Sequence, residues 1–285
     1  VAGHSLPVDR IVRYVLERRC REGGFCFYRL EEPNGSDTYY ALSILHLLGV
    51  PFREDRTLGF LKARQQQDGA YESIFQAFYC LQSLKLLGEE PEADPTSYIL
   101  DHLHVYEIEK LPAEVTSIFR RMLMLVELCT ARHIALAPSL RETVIRFVMH
   151  FRKEDGGFGA FYATLLETAQ ALRILDRLGY PLQILGSEAF VSQCADPVCG
   201  FVDIPFTTFS FLEHIHAGVV ASAYLNRPPP HADACLQFLS ACQTLSGGFS
   251  RSTQAGIATL EDTCLAVETI DLLRKFELIG WRLCD

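Results

Sequence analysis

Apolar residues recur at helical spacing through almost the whole chain. In VDRIVRYVLERRC (8–20), Ile11, Tyr14 and Val15 fall at i, i+3 and i+4, one stripe on an otherwise charged helix. TLGFLKARQQQ (57–67), LRETVIRFVMHFRK (140–153) and HADACLQFLSACQ (231–243) read the same way. Between them lie stretches that are apolar over much of their surface: DTYYALSILHLLG (37–49), SIFQAFYCLQSLKLLG (73–88), TLLETAQALRILDRLG (164–179), FSFLEHIHAGVVASAYL (209–225) and EDTCLAVETIDLL (261–273). One-sided helices alternating with more apolar ones predict two concentric layers, an outer and an inner. Three of the inner helices end at Gly49, Gly88 and Gly179, where a left-handed stop favours a residue without Cβ. No strand period competes.

A glycine-aromatic turn separates the two helices of each pair. It reads REGGFCF at 21–27, QDGAY at 67–71, EDGGFGAF at 154–161, CGFV at 199–202 and SGGFSR at 246–251. Successive turns are about 45 residues apart, except for one double gap, which is a repeat period of helix-pair arrays. The double gap places a degenerate sixth turn near residue 112, in EKLPAEVTSIF (109–119), whose TSIF echoes ESIF at 72–75. An open stack of repeats needs polar capping units at its ends. Here the first and last units both carry the full turn, so the pairs are expected to close into a ring. The proline-rich NRPPPHADA (226–234) reads as a connector that ends one helix and starts the next. Residues 1–285 are therefore expected to form a single domain of about six degenerate repeats.

Composition narrows the partners. The chain has 285 residues, 49% of them hydrophobic, and a formal net charge of −9. Ample apolar content excludes disorder. The acidic balance without a basic run argues against nucleic acid and anionic membrane. No apolar run approaches the length of a membrane span, and no signal region opens the sequence. The ten cysteines are scattered, form no CxxC, and fall partly inside helical patterns, as Cys80 does. They read as small buried hydrophobes in a reduced, cytoplasmic protein.

Aligning the inner helices on their C-terminal ends gives one polar position in each: Asp37, Gln76, Arg120, Glu167, His214 and Asp262. In a closed ring these would gather at one level, around the mouth of the central cavity, as a binding ring. Acidic residues also suit a helix N-terminus for its dipole alone, which accounts for Asp37, Glu167 and Asp262 but not for Arg120.

Gly-Gly-Phe turns on a helix-pair repeat of this length resemble the β subunits of protein prenyltransferases, related to squalene and terpene cyclases. The resemblance covers essentially the full chain and implies an all-α fold, the α/α toroid. The acid motif DxDD of squalene-type cyclases is missing, and the single tryptophan, Trp281, has no Gln six residues before it. The Cys-Gly-Glu-Gln run of thioester toroids and the DDxxD of other terpene enzymes are absent too.

The stretch LEDTCLAVE (260–268) is similar to the zinc-binding Asp-x-Cys of the prenyltransferases, with Asp262 and Cys264 at the matching positions. His214 matches the family's histidine in the isoprenoid diphosphate pocket. Zinc in such a site lowers the pKa of a bound substrate thiol and holds it as a nucleophilic thiolate. The family's third ligand is a later histidine, and no His follows His231 here. A rearranged site is the expectation, with His214, or His216 two residues on, completing Asp262 and Cys264. Arg120, Arg251, His214 and His216 are candidates to stabilise a leaving diphosphate. Tyr39, Tyr40, Phe75, Phe78, Tyr79, Phe119, Phe161, Tyr162, Phe209 and Phe211 supply aromatic surface, which is either plain core or the wall of an isoprenoid cavity. Asp37, Gln76 and Glu167 join Tyr40 and Phe78 as candidate substrate-binding residues.

The leading expectation is binding of an isoprenoid diphosphate or other terpenoid lipid, with zinc-assisted prenyl transfer to a thiol. The family pairs with a separate helical α subunit, so the resemblance implies such a partner. The alternative is a non-catalytic toroid serving as a lipid-binding or protein-interaction scaffold.

Overall fold

The structure is a computed structural model and describes residues 7–27, 32–103, 117–254 and 256–278. Within these residues the helices come in pairs, the first of each pair outer and the second inner. The pairs are α1 (Val8–Leu16) with α2 (Gly35–Leu47), α3 (Asp55–Lys62) with α4 (Ile74–Leu86), and α5 (Thr96–His102) with α6 (Arg120–Ala131). They continue with α7 (Pro138–His150) and α8 (Leu165–Arg177), α9 (Ser187–Gln193) and α10 (Leu212–Tyr224), then α11 (Ala232–Cys242) and α12 (Leu260–Leu278). The stripe predicted on the first outer helix is buried, at Ile11, Tyr14 and Val15. Most of the degenerate turn expected near residue 112 lies outside the described residues, as does Trp281.

Each inner helix packs on the next, α2 on α4 and so on to α10 on α12, and α12 returns to pack on α2. The ring is closed. Closure has its own hydrogen bonds: the Tyr14 hydroxyl of α1 donates to the Ala258 carbonyl just before α12, at 2.6 Å. The last glycine turn also seats on the first outer helix. Gly247 has φ +98°, and a Cβ there would stand 2.4 Å from the Arg10 carbonyl oxygen. Only glycine allows both that backbone conformation and that approach.

The aromatic of the turn is a plug between the layers. Phe25, Phe158 and Phe249 are fully buried. Each forms isolated bridges both to the end of the outer helix and to the cap of the inner one: Arg19 and Asn34, Arg152 and Thr164, Gln243 and Thr259 respectively. Each backbone N–H of these phenylalanines also donates to a threonine in the following inner helix, Thr38, Thr168 or Thr263, at 2.9–3.0 Å. The Thr263 that separates Asp262 from Cys264 thus has an architectural task. The CGFV turn is a miniature antiparallel hairpin, β1 (Ala195–Asp196) with β2 (Gly200–Phe201).

Candidate functional site at the ring centre

The inner helices begin at one end of the ring. The N–H of Leu165, opening α8, donates to the Asp203 carbonyl at 2.7 Å, and that of Leu212, opening α10, to the Arg251 carbonyl at 2.9 Å. The loops before α8, α10 and α12 are thereby joined edge to edge around the mouth of a cavity of about 1000 Å³.

Five of the six residues in the predicted polar register are helix caps. Asn34, Ser73, Thr164 and Thr259 are N-caps whose side chains accept the N–H of Asp37, Gln76, Glu167 and Asp262, at 2.8–3.2 Å. The carboxylates fold back in return: Asp262 accepts from the Thr259 hydroxyl at 2.6 Å, and Asp37 from the Phe27 N–H at 2.8 Å. In α10 the same box is made by His214, whose Nδ1 accepts the Phe211 N–H at 3.2 Å. These are reciprocal caps on otherwise unpaired helix-end groups. Arg120 differs: it is the first residue of α6, and its guanidinium is directed into the mouth.

The side chains that form the wall sit one residue earlier, and one residue turns a side chain by about 100°. On α12 they are Glu261, Cys264, Leu265 and Glu268, and on α10 Glu213, His216, Ala217 and Val220. That spacing of i, i+3, i+4 and i+7 is a single helix face. Asp37, His214 and Asp262 still reach the cavity because they stand at its mouth, whereas Gln76 and Glu167 do not line it. Glu167 is buried beside its cap, and burial raises its pKa.

One side of the wall is aromatic. Tyr39, Tyr40, Phe78 and Tyr79, from α2 and α4, pack against one another with ring centroids 5.5–5.7 Å apart. Of the other predicted aromatics, Phe119 is plain core, and Phe161, Tyr162 and Phe209 point outward, 85%, 60% and 77% exposed. They are not cavity wall.

The other side is ionic. Arg173 on α8 pairs with Glu127 on α6, and His216 Nε2 on α10 lies 3.1 Å from Glu268 Oε2 on α12. Burial works against the Glu268 carboxylate, but His216, Arg173 and Lys275 outweigh it and hold its pKa down at about 2. At the mouth Arg120 reaches across the ring to Glu261, 3.8 Å away, and donates to the Tyr79 hydroxyl at 3.3 Å. The Tyr40 hydroxyl donates to the same Glu261 at 2.8 Å. Arg251 is held by Glu213 and stacks on Phe211, 4.3 Å from the ring centroid. Glu127, Arg173, Glu261 and Glu268 were not singled out from the sequence. The signal existed: about two turns beyond Arg120, Glu167 and Asp262 lie the charged residues Glu127, Arg173 and Glu268.

The expected zinc ligands do not assemble. Among the described residues no three His, Cys, Asp or Glu side chains converge on a point that could hold a metal ion. Asp262 is engaged by Thr259, His214 by the Phe211 N–H, and His216 by Glu268. Burial raises the pKa of Asp262, and burial with Glu268 and Glu261 nearby pushes the Cys264 thiol well up.

A closed ring of helix pairs around a central cavity is an α/α toroid. The pattern of the prenyltransferase α/α toroid domain matches residues 2–73 and 98–282, and the chain belongs to that family. Among solved structures it is similar to Candida albicans protein geranylgeranyltransferase-I complexed with GGPP, with a TM-score of 0.72 at 14% identity, covering 96% of this chain and 93% of that one. A protein from Actinoplanes matches with a TM-score of 0.55 at 17% identity over 94% of this chain and 97% of that one. No curated protein sequence is significantly similar. No helix among the described residues is long and apolar enough to cross a membrane.

Proposed function

We propose that the protein binds a long isoprenoid or terpenoid chain in the central cavity, with the chain along the aromatic wall and a neutral head group at the mouth. The observation that carries this reading is the wall of Tyr39, Tyr40, Phe78 and Tyr79 flanking a cavity of about 1000 Å³. Concave apolar sites with a few polar groups at one end are the usual form of small-molecule sites. The fold shared with the Candida albicans enzyme solved with GGPP supports an isoprenoid as the apolar part.

The head group is read from the charges. Each arginine lining the cavity faces a carboxylate: Arg120 with Glu261, Arg173 with Glu127, Arg251 with Glu213. Asp37, Asp203, Asp262 and Glu268 add further acidic groups to the lining. A diphosphate would have to displace a carboxylate from its arginine and be desolvated among the remaining acids, a costly exchange. A zinc-held thiolate is not part of the proposal, because Asp262 and His214 are engaged in their caps and no three ligands converge among the described residues.

Calorimetric titration with geranylgeraniol, presented from cyclodextrin, and with geranylgeranyl diphosphate tests the reading. The alcohol is expected to bind at least as tightly as the diphosphate. Phe78→Ala should weaken it about tenfold, the scale of one aromatic contact. Arg120→Ala should change the diphosphate affinity by less than about twofold, as for an already paired surface charge. Diphosphate binding that is far tighter, and lost in Arg120→Ala, would restore the prenyl diphosphate pocket. Binding of neither would leave the protein-interaction scaffold as the better reading.

A further inference from the structure

At the mouth end of the aromatic wall, polar groups form a directed chain across the neighbouring inner helices α12, α2, α4 and α6. The Tyr40 hydroxyl of α2 donates to Glu261 of α12 at 2.8 Å. It also stands 3.3 Å from the Tyr79 hydroxyl of α4. A hydroxyl has a single proton to give, and that of Tyr40 goes to Glu261, so Tyr79 donates to Tyr40. Burial and the Glu261 carboxylate push the Tyr40 pKa up, which keeps its proton in place. The Tyr79 oxygen in turn accepts from Arg120 of α6, at 3.3 Å. Along Arg120, Tyr79, Tyr40 and Glu261 the donors therefore all point the same way.

The two ends of this chain face each other across a gap. Arg120 lies 3.8 Å from the same Glu261 oxygen that accepts from Tyr40, beyond hydrogen-bond reach. The other arginines of the cavity are held more closely: Arg173 hydrogen-bonds Glu127, and Arg251 hydrogen-bonds Glu213. A carboxylate offers several acceptor sites, and among the described residues Tyr40 is the one hydrogen-bond donor to Glu261. An oxygen about 2.8 Å from both ends fits the gap. To complete the ring it has to accept from Arg120 and donate to Glu261. A hydroxyl does both, whereas an ether, aldehyde or diphosphate oxygen accepts alone and an ammonium donates alone.

We infer that the gap between Arg120 and Glu261 is a head-group subsite that takes a hydroxyl, so that the ligand class is a terpenoid alcohol. The inference rests on the proposed isoprenoid binding and narrows it: Glu261 determines specificity by accepting a hydrogen bond from the ligand. Its place suits that task. Tyr40 and Tyr79 belong both to the chain of donors and to the aromatic wall, so a hydroxyl in the gap leaves its hydrocarbon chain against the rings. A site built to hydrogen-bond a ligand hydroxyl rejects the analogue lacking it, because its polar groups are then desolvated without a partner.

Calorimetric titration of the full chain with geranylgeraniol and with geranylgeranyl methyl ether, both presented from cyclodextrin, tests the subsite. The alcohol should bind about tenfold more tightly than the ether, the scale of one hydrogen bond to a charged group. In Glu261→Ala the acceptor is gone, and the two ligands should bind within about twofold of each other. Tyr40→Phe breaks the chain of donors but keeps the ring and both ends of the gap, so the preference for the alcohol should persist. The Glu261 side chain is half exposed, so Glu261→Ala should fold, which its melting temperature checks. Equal affinities for alcohol and ether in the wild type overturn the hydroxyl subsite and leave the isoprenoid reading standing. A preference that survives Glu261→Ala, or disappears in Tyr40→Phe, overturns the role given to Glu261. If neither ligand binds, the isoprenoid reading fails and the subsite with it.

Discussion

Along α2 and α4 the cavity wall is four aromatic rings, while α6, α8, α10 and α12 carry Glu127, Arg173, His216 and Glu268. The aromatic side makes its contacts among rings of adjacent helices, and its Tyr40 and Tyr79 hydroxyls meet Glu261 and Arg120 at the mouth. The ionic side ties neighbouring helices to each other, α6 to α8 through Glu127 and Arg173, and α10 to α12 through His216 and Glu268. On the proposed reading, one half of the ring offers a surface to a ligand, while the other half fastens the ring. The contrast also bears on ligand charge, because a fastened arginine is a weak site for a new anion.

The most damaging way to break this contrast is to remove one member of an ionic pair. Arg173→Ala should cost about 3 kcal/mol in chemical denaturation, because it strands Glu127 in a largely enclosed cavity. Adding Glu127→Gln to that variant should recover a good part of the loss, while geranylgeraniol affinity stays close to wild type. If Arg173→Ala abolished ligand binding without affecting stability, the two sides would not divide their tasks in this way.

The second test uses pH. The Glu268 pKa lies at about 2 in the folded chain against an ordinary value of 4.5. A depressed carboxylate contributes stability that is fully present above the unfolded value and is lost as pH falls through the folded one. The melting temperature should therefore decline between about pH 4.5 and pH 2 with a component that Glu268→Gln removes. An identical acid limb in that variant would refute the assignment.

The smallest effect is expected at the caps. Thr259→Ala removes the N-cap of α12 and should cost about 1 kcal/mol in stability. It would leave the aromatic wall, and hence chain binding, unchanged. A large loss of binding would mean that Asp262, freed from Thr259, has a role in the ligand site.

The recurring polar register was legible because its cause is local. Asn34 with Asp37, Thr164 with Glu167 and Thr259 with Asp262 are three residues apart, the spacing of a cap and its partner. The resemblance to Asp-x-Cys was legible for the same reason, but a zinc site needs a third ligand, and none converges among the described residues. Asp262 belongs to the cap and Cys264 to the wall, and sequence alone does not reveal that burial raises the pKa of both. The outward turn of Phe161, Tyr162 and Phe209 was equally hidden, because aromatic character says nothing about which side of a ring a loop presents.

The helix pairs, the glycine turns between them and the capped starts of the inner helices are encoded locally. All of these follow from periodicity and from contacts a few residues long. Closure, through Gly247 on Arg10 and α12 on α2, joins the two ends of the chain and depends on how the curvature of the pairs adds up. The division of the wall depends on closure in turn. Arg120 meets Glu261 and His216 meets Glu268 only because the ring brings together helices far apart or separated by a whole repeat.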